Sequence, residues 1–331
     1  VATLADVASA AGVSTATVSL VLSGKAEGRV AKATAQRVQA AADEAGYVRN
    51  AVAGSLRSRS TRTLGLVSER STSSGAVLAD VLAVCREAGW SMLVTDLGHT
   101  PKETREAVRE LRQRRVDAVI YAPTTRQKVH VDRALDHVAV LNGYADRPGV
   151  PGAVADEETG AVEAVGHLLA LGHRRIAHLT LDRDDDVTVR LRQSGYSGAL
   201  AAAGLTVDPS LVVACDGTPS GADRAARALL DRADRPTAVF CYDDALALGV
   251  YRQARALGLR LPEDLSVIGF DELTVLAENV APQLTALRLP RRDMAEWVTS
   301  GLIGGAGELP RIPTVFTCEL IERGSTAAPA A

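Results

Sequence analysis

Leu4, Val7, Ala8 and Ala11 recur at helical spacing and lay one apolar stripe along the start of the chain. Thr3 and Asp6 frame that stripe as a capping box, in which each side chain takes a backbone amide of the first turn. Gly12 ends the helix, because a glycine supplies the backbone freedom a tight turn needs. Ser14 caps a second helix in which Val18, Val21 and Leu22 share one face. A third helix over 31–45 is expected to bury Thr34, Val38, Ala41, Ala42 and Ala45, with Gly46 ending it and Tyr47 folding back onto the core. Two short helices joined at a glycine, with small Ala8 where they approach, form a helix-turn-helix pattern. From Thr63 the pattern changes. Short apolar runs at 64–67, 91–95, 118–121, 138–141, 176–179, 238–241 and 267–270 alternate with helical segments at 76–88, 101–115, 159–171, 190–203, 219–233 and 243–257. Continuous apolar strands between helices predict parallel sheets covered on both faces. The stretch is longer than one doubly wound unit requires, which predicts two lobes with a cleft between them.

The outward face of the second helix carries Ala16 and Leu20, flanked by Ser19 and Ser23, with Thr15 leading. A plain surface helix would carry Lys or Glu there. Hydroxyls and small apolar groups suit phosphate oxygens and the thymine methyl of a major groove. The bland alternative is an amphipathic hairpin with no DNA role. Charge distribution separates the two better than net charge, which is only −3 over 331 residues. Residues 1–62 carry eight Lys and Arg against Asp6, Glu27, Asp43 and Glu44, a net of +4, so the remainder carries −7. A basic head on an acidic body fits a phosphate-binding module joined to something else. Residues 49–62 read equally as a segment that folds on its target and as a flexible basic linker. Hydrophobic content of 47% and charged content of 23% are those of a soluble globular protein. No apolar stretch approaches membrane-spanning length, and the start lacks the order of a secretory signal. Cys85, Cys215, Cys241 and Cys318 lie far apart in apolar runs, which argues for buried thiols in a cytoplasmic protein.

Ligands of doubly wound sheets bind beyond the carboxyl ends of the strands. Polar residues at those ends are Glu69, Arg70, Asp96, Asp156, Asp243, Asp244 and Asp271. Carboxylates there accept hydrogen bonds from ligand hydroxyls, and Arg192 supplies donors. An Asp after a strand is equally a helix cap, and both readings stay open. His167, His173 and His178 form no convergent ligand set, Asp184–Asp186 lacks the spacing of a calcium loop, and Gly195–Ala199 misses a nucleophile elbow. No metal, cofactor or catalytic residue is assigned, and the chain is not read as an enzyme.

The runs TLADVASAAGVSTATVSLVLSG and VAKATAQRVQAAADEAGYVRNAVAGSLRSRSTRTLGLV resemble the headpiece and hinge of the LacI/GalR family of repressors. RRVDAVIYAP, LLALGHRRIAHL, RLRQSGYSGAL, RPTAVFCYDDALALG, LPEDLSVIGFDE and ELIERGST resemble blocks of the same family's body, so the resemblance spans essentially the whole chain. It implies an all-α helix-turn-helix headpiece and an α/β two-lobed body like periplasmic binding proteins, with two doubly wound parallel sheets. It also implies a homodimer on a palindromic double-stranded DNA operator, with the second helix in the major groove and a hinge leucine wedged into the minor groove. By position Ser14, Thr17, Ser19 and Ser23 match phosphate contacts, and Thr15, Ala16 and Leu20 match base-reading ones. In the hinge Leu56 is the wedge, Val52 packs on the partner, and Asn50 and Ala53 belong to the same DNA-binding segment. Arg192, Asp243 and Asp271 match ligand contacts, with Asp156, Glu69 and Arg70 as further candidates.

Four departures qualify what carries over. Leu20 stands where many members have Arg, which predicts an operator that differs at the base pair read there. VSERSTSSGAVLADVL replaces an aromatic-containing stretch, and Asp243 replaces a common Asn. With aromatic residues at 3%, few rings are present to stack a sugar, so the effector is expected to be a sugar or another polar or cationic metabolite. Ala31 also lacks the capping hydroxyl often found at the start of the third helix. The expected organisation is a headpiece at 1–48, a hinge at 49–62, a first lobe at 63–160 plus 289–314, a second lobe at 161–288 plus 315–325 and a disordered tail at 326–331. The tail shows no heptad pattern, which favours a dimer. The competing class is a transporter's solute-binding protein, which shares the body but has no use for residues 1–62.

Overall fold

The computed structural model describes residues 2–47, 60–69, 74–98, 100–183, 185–304 and 309–330; Asn50, Val52, Ala53, Leu56 and Arg70 fall outside them. The chain divides into two compact units, Val1–Thr61 and Arg62–Ala331. In the first unit, α1 (Leu4–Ala11) opens on the expected capping box: Thr3 Oγ1 accepts from Asp6 N at 3.3 Å and Asp6 Oδ2 from Thr3 N at 2.8 Å. Gly12 adopts φ 65°, the left-handed region open to a residue without a Cβ, and α2 (Thr15–Leu22) leaves at 102° to α1. Ser14 Oγ accepts from Thr17 N at 3.1 Å to start α2. Ala31 starts α3 (Lys32–Glu44) without a side-chain cap. Val7, Val18 and Val38 are fully buried among Ala8, Ala11 and Ala42, with Tyr47 packed against them. Ala45, expected inside, is exposed, and Thr34 is only half-buried. The helix already ends at Glu44, so Ala45 lies just beyond the turn that buries Ala41 and Ala42.

The second unit holds two six-stranded sheets. The first contains β1 (Thr63–Ser68), β2 (Ser91–Asp96), β3 (Ala118–Ala122), β5 (Val138–Leu141), β7 (Gly152–Ala155) and β13 (Pro313–Phe316), in the order β13-β7-β5-β3-β1-β2 and wholly parallel. The second contains β8 (Ile176–Leu181), β9 (Val212–Cys215), β10 (Ala238–Cys241), β11 (Ser266–Asp271), β12 (Thr285–Arg288) and β14 (Glu319–Ile321), in the order β14-β12-β11-β10-β8-β9. Only its edge pair β12–β14 is antiparallel. A short ladder of β4 (Gln127–Val129) and β6 (Gly143–Ala145) stands apart. Parallel strands cannot be joined by tight turns, so helices cross over both faces: α4 (Ser74–Glu87) and α5 (Pro101–Gln113) around the first sheet, α6 (Glu157–Ala170), α7 (Val187–Ala202), α8 (Pro219–Leu230) and α9 (Asp244–Ala256) around the second. A single helical turn, α10 (Thr274–Ala277), follows β11, and α11 (Arg291–Ile303) returns to pack on α4.

Every expected strand and helix is present, and the differences have local causes. The helices expected from 159 and 190 begin at Glu157 and Val187, because Asp156 and Asp186 cap them. The strands missed in the sequence, among them β7, β9 and β12–β14, are only three or four residues long. Phe316 pairs with Ala155, so the first sheet extends past residue 314, and α6 packs on α7 from Glu157, ahead of residue 161. The expected disordered tail is instead hydrogen-bonded at Thr326 and Ala327, just after an anchor at Ser325. Ser325 is fully buried, donating to Val267 O at 2.6 Å and accepting from Thr285 N at 2.8 Å, and Ala327 O accepts from His173 Nε2 at 2.8 Å. Polar partners on β11 and β12 thus capture a segment whose own composition carries no structural signal.

Gly195 of α7 faces α6 so closely that a Cβ there would collide with Glu158 O and the Ala161 Cβ. Gly195→Ala therefore forces apart the two helices that carry Arg192 and Glu157. It is expected to cost about 1–3 kcal/mol, read from urea unfolding; an unchanged midpoint would contradict this close packing.

Candidate functional site

The first unit presents Ser14, Thr15 and Ala16 exposed at the start of α2, with Thr17, Ser19, Leu20 and Ser23 half-exposed along it. These surround the inward Val18 as helical spacing requires. Part of the hydroxyl capacity serves the helix itself: Ser14 Oγ lies 2.9 Å from Thr17 Oγ1, and Ser23 Oγ donates to Leu20 O at 3.1 Å. Thr15, Ala16 and Leu20 share this outward face without a charged side chain, and the exposed cations Lys25 and Arg29 lie just beyond α2.

In the second unit a cavity of about 330 Å³ opens where the carboxyl ends of both sheets converge. Ser68, Ala122 and Leu141 close β1, β3 and β5 on one side; on the other, Leu181 and Asp271 close β8 and β11, and Tyr242 directly follows β10. This is where an open α/β sheet holds its ligands. Two of the lining residues, Asn142 (φ 61°) and Asp271 (φ 99°), take left-handed backbone conformations. Such strain persists only where surroundings over-determine it, and it gathers at functional sites. Asn142 Nδ2 donates to Thr124 O at 3.1 Å and so anchors the loop after β3.

Arg192 is the centre of the second lobe's wall and is almost wholly buried. Its Nε donates to Glu157 Oε2 at 2.8 Å, its Nη2 to Asp271 Oδ1 at 3.2 Å and its Nη1 to Tyr242 O. The Phe270 ring lies 3.7 Å from its guanidinium carbon and the Tyr242 ring 4.5 Å, one cation–π contact each. Burial pushes the Glu157 carboxyl above the usual carboxylate range, and the Arg192 guanidinium pulls it back. Asp243 Oδ1 accepts from Leu246 N at 2.7 Å as the cap of α9. Its pKa is pushed up to about 6, first by burial and then by the Asp271 carboxylate. Nearby His178 is sandwiched between Tyr196 and Phe240, donates through Nδ1 to Phe240 O at 3.1 Å, and is held neutral by burial, with a pKa of about 4. Its role is structural packing, as is that of His173, which binds Thr237, Ser266 and Ala327.

Residues 3–50 match the bacterial regulatory proteins of the lacI family, and residues 165–326 match the periplasmic binding protein-like domain. The HTH-type transcriptional repressor PurR of Vibrio atlanticus (strain LGP32) is 35% identical over 305 residues, 89% of each chain. The HTH-type transcriptional regulator AscG of Escherichia coli (strain K12) is 32% identical over 99% of each. The chain belongs to the LacI family. Among solved structures, the lac repressor dimer bound to operator and the anti-inducer ONPF superposes with a TM-score of 0.79 at 25% identity, covering 99% of both chains. Like its curated relatives, this LacI-family chain is a transcriptional regulator, a helix-turn-helix joined to a two-lobed α/β body.

Within this LacI-family body the expected effector residues separate. Arg192, Asp243 and Asp271 meet in the cavity wall. Asp156 does not line it; its carboxylate accepts from Thr159 N at 3.2 Å as the cap of α6, the structural use of an Asp after a strand. Glu69 sits beside the cavity, its carboxylate taken up by Thr124 and by Gln127 Nε2 at 2.6 Å. Sequence reasoning missed Glu157, Asn142 and Thr188. A signal for Glu157 existed: a capping Asp156 leaves the next side chain free to turn inward, and a buried Arg192 requires a counter-charge. Asn142 directly follows the apolar run at 138–141, the position already used to choose the other candidates.

Removing Arg192 leaves two carboxylates facing each other without a cation. Arg192→Ala is expected to cost about 3–5 kcal/mol of stability, measured by urea unfolding, so it cannot serve as a clean test of ligand contact; a parental unfolding curve would refute the buried cluster. Asp243 has its folded pKa above its unfolded value, so its contribution is intact below pH 4 and is lost as pH rises through about 6. Asp243→Asn keeps the cap and removes that loss. Relative to the parent, its stability should gain about 1–3 kcal/mol between pH 4.5 and 7.5; a difference that is the same at both pH values would contradict the assignment.

Proposed function

We propose that the chain is a ligand-controlled repressor that binds a palindromic operator as a homodimer in the cytoplasm, with its DNA affinity set by a sugar or another polar metabolite in the cavity between the two lobes. The observation that carries this reading is the pairing, in one chain, of a helix-turn-helix whose outward face is small and hydroxylic with a cavity at the carboxyl ends of two parallel sheets. A transporter's solute-binding protein accounts for the cavity alone. Thr15, Ala16 and Leu20 are the base-reading residues of this proposal, and Ser14, Thr17, Ser19 and Ser23 its phosphate contacts. Asn50, Val52, Ala53 and Leu56 form the hinge that orders on the operator. Arg192, Asp243 and Asp271 form the effector site, with Glu69 bracing its rim. No catalysis belongs to this proposal, because the site's buried charges are held by one another.

The lobes already touch across the cavity: Arg126 N in the first donates to Thr188 Oγ1 at the start of α7 in the second, at 3.3 Å. A ligand held between them changes their relative geometry only by preferring one arrangement over another. In a dimer that arrangement sets the separation of two headpieces, and the separation of half-sites on DNA is fixed by the helical repeat.

The reading is tested by mixing the full chain with fragmented DNA of its source genome and sequencing what is retained. A shared palindrome supports it; no enrichment at low salt, with or without metabolite extracts, overturns it. Leu20→Arg supplies two donors to the groove and is expected to move one base pair of each half-site toward guanine, by about 1–3 kcal/mol. An unchanged preferred operator would remove Leu20 from the reading face.

A further inference from the structure

The charges that line the cavity balance, with Glu157, Asp243 and Asp271 against Arg183, Arg192 and Arg291, but the three cations are not equally committed. Arg192 donates to Glu157, Asp271 and Tyr242 O, and the Phe270 and Tyr242 rings lie against it. Arg183 is exposed on the loop after β8, where water serves it. Arg291, the first residue of α11, is half-buried on the first lobe's wall. Its Nη1 is buried and has no hydrogen-bond partner among the described residues. Asp80 of α4 feels the charge of Arg291 together with that of Arg292, but through space and not through a hydrogen bond. A charged donor shielded from water and left unpaired costs free energy that the fold alone does not recover.

The other donors of that wall already have partners. Ser68 Oγ donates to Ala122 O at 3.2 Å, Thr124 Oγ1 to Glu69, and Asn142 Nδ2 to Thr124 O at 3.1 Å. Apart from the hydroxyl of Thr125, an acceptor that a ligand brings to this side meets Arg291. The start of α11 adds to the attraction. Pro290 gives it no side-chain cap, its first-turn Asp293 is exposed and lines no part of the cavity, and Leu289, Arg291 and Met294 do line it. The starts of α7 and α9, by contrast, are closed by the carboxylates of Asp186 and Asp243. A guanidinium presents its N–H groups as a planar fork that matches two oxygens of a carboxylate or a phosphate, whereas a neutral hydroxyl leaves the charge unmet. The second lobe's wall complements this, because Asp243 and Asp271 are acceptors and suit hydroxyl donors.

Resting on the effector-site reading above, we infer that the effector carries an oxyanion, a carboxylate or a phosphate, and that Arg291 receives it as the specificity-determining contact of the first lobe. The ligand's hydroxyls then face Asp243 and Asp271 across the cavity. A hydroxylated acid or a phosphate monoester of monosaccharide size has both kinds of group and suits a cavity of about 330 Å³.

The test titrates the full chain at pH 7.5 with matched probes: glucose, glucosamine, gluconate, glucuronate and glucose 6-phosphate, then ribose, ribonate and ribose 5-phosphate. Calorimetry is expected to show at least one oxyanion probe binding at least tenfold tighter than its neutral and cationic counterparts, and the carboxylate and phosphate arms tell which oxyanion it is. Arg291→Met, which keeps the side chain's length without its donors, should weaken that probe at least tenfold. Arg291→Lys, which keeps the charge but not the fork, should weaken it less. Without ligand, Arg291→Met should melt no lower than the parent, because it removes an unpaired charge. No binding by any oxyanion probe, neutral or cationic counterparts that bind as tightly, an Arg291→Met variant with parental affinity, or one that melts clearly below the parent each overturn the inference. Tight binding of the neutral sugars alone would do so while leaving the effector-site reading in place. Retention of genomic DNA by the ligand-free chain is scored separately. An oxyanion that binds through Arg291 to a chain retaining no DNA would sink the regulator reading and leave this one standing.

Discussion

A buried guanidinium with its two carboxylates organises the body of this protein. Arg192 ties α7 to α6 through Glu157, to the end of β11 through Asp271 and to the residue after β10 through Tyr242 O. Ions taken out of water are tolerated only when each is paired and hydrogen-bonded, so this cluster constrains everything around it. It requires α6 and α7 to approach closely, which the bare face of Gly195 allows. It also helps hold Asp271 in a backbone conformation that a free chain would avoid. The cavity at the strand ends is built against this rigid block.

The two units divide the work by the kind of surface each can make. Three short helices around Val7, Val18 and Val38 form a core just large enough to hold α2 outward. That suits a reader of a groove, which needs a rigid edge and little else. A cavity for a small molecule needs walls on two sides and strand ends that converge, and two separate, largely parallel sheets supply both. Glu272 illustrates how the strained end of β11 is secured: buried at φ 51°, it pairs with Arg288 and Arg323 from β12 and the segment after β14. The tail then closes the second sheet through Ser325 and His173.

Much of this was legible in the residues because it is local. The capping box of Thr3 and Asp6, the turn at Gly12, the cap at Ser14 and the stripe of Val7, Ala8 and Ala11 involve residues a few positions apart, where spacing alone sets geometry. The longer apolar strands and amphipathic helices announced themselves through periodicity, and the LacI-family resemblance through contiguous blocks. Strand-end position also selected Asp243 and Asp271, because the carboxyl ends of parallel strands are where such sheets hold ligands.

Tertiary structure decided what depends on distant partners. Asp156 and Asp243 look alike in sequence, each following a strand and capping a helix, yet only Asp243 lines the cavity. Glu157 became a site residue because Arg192, 35 positions later, packs against it. The tail became ordered because Ser266, Thr285 and His173 offer it hydrogen bonds that its own composition does not foretell. Periodicity reports which face of an element is covered, but not by what. Hydrogen-bond pairing and charge neutralisation among residues far apart in the chain exist only once the sheets have brought them together, and those pairings determine which polar groups remain for a ligand.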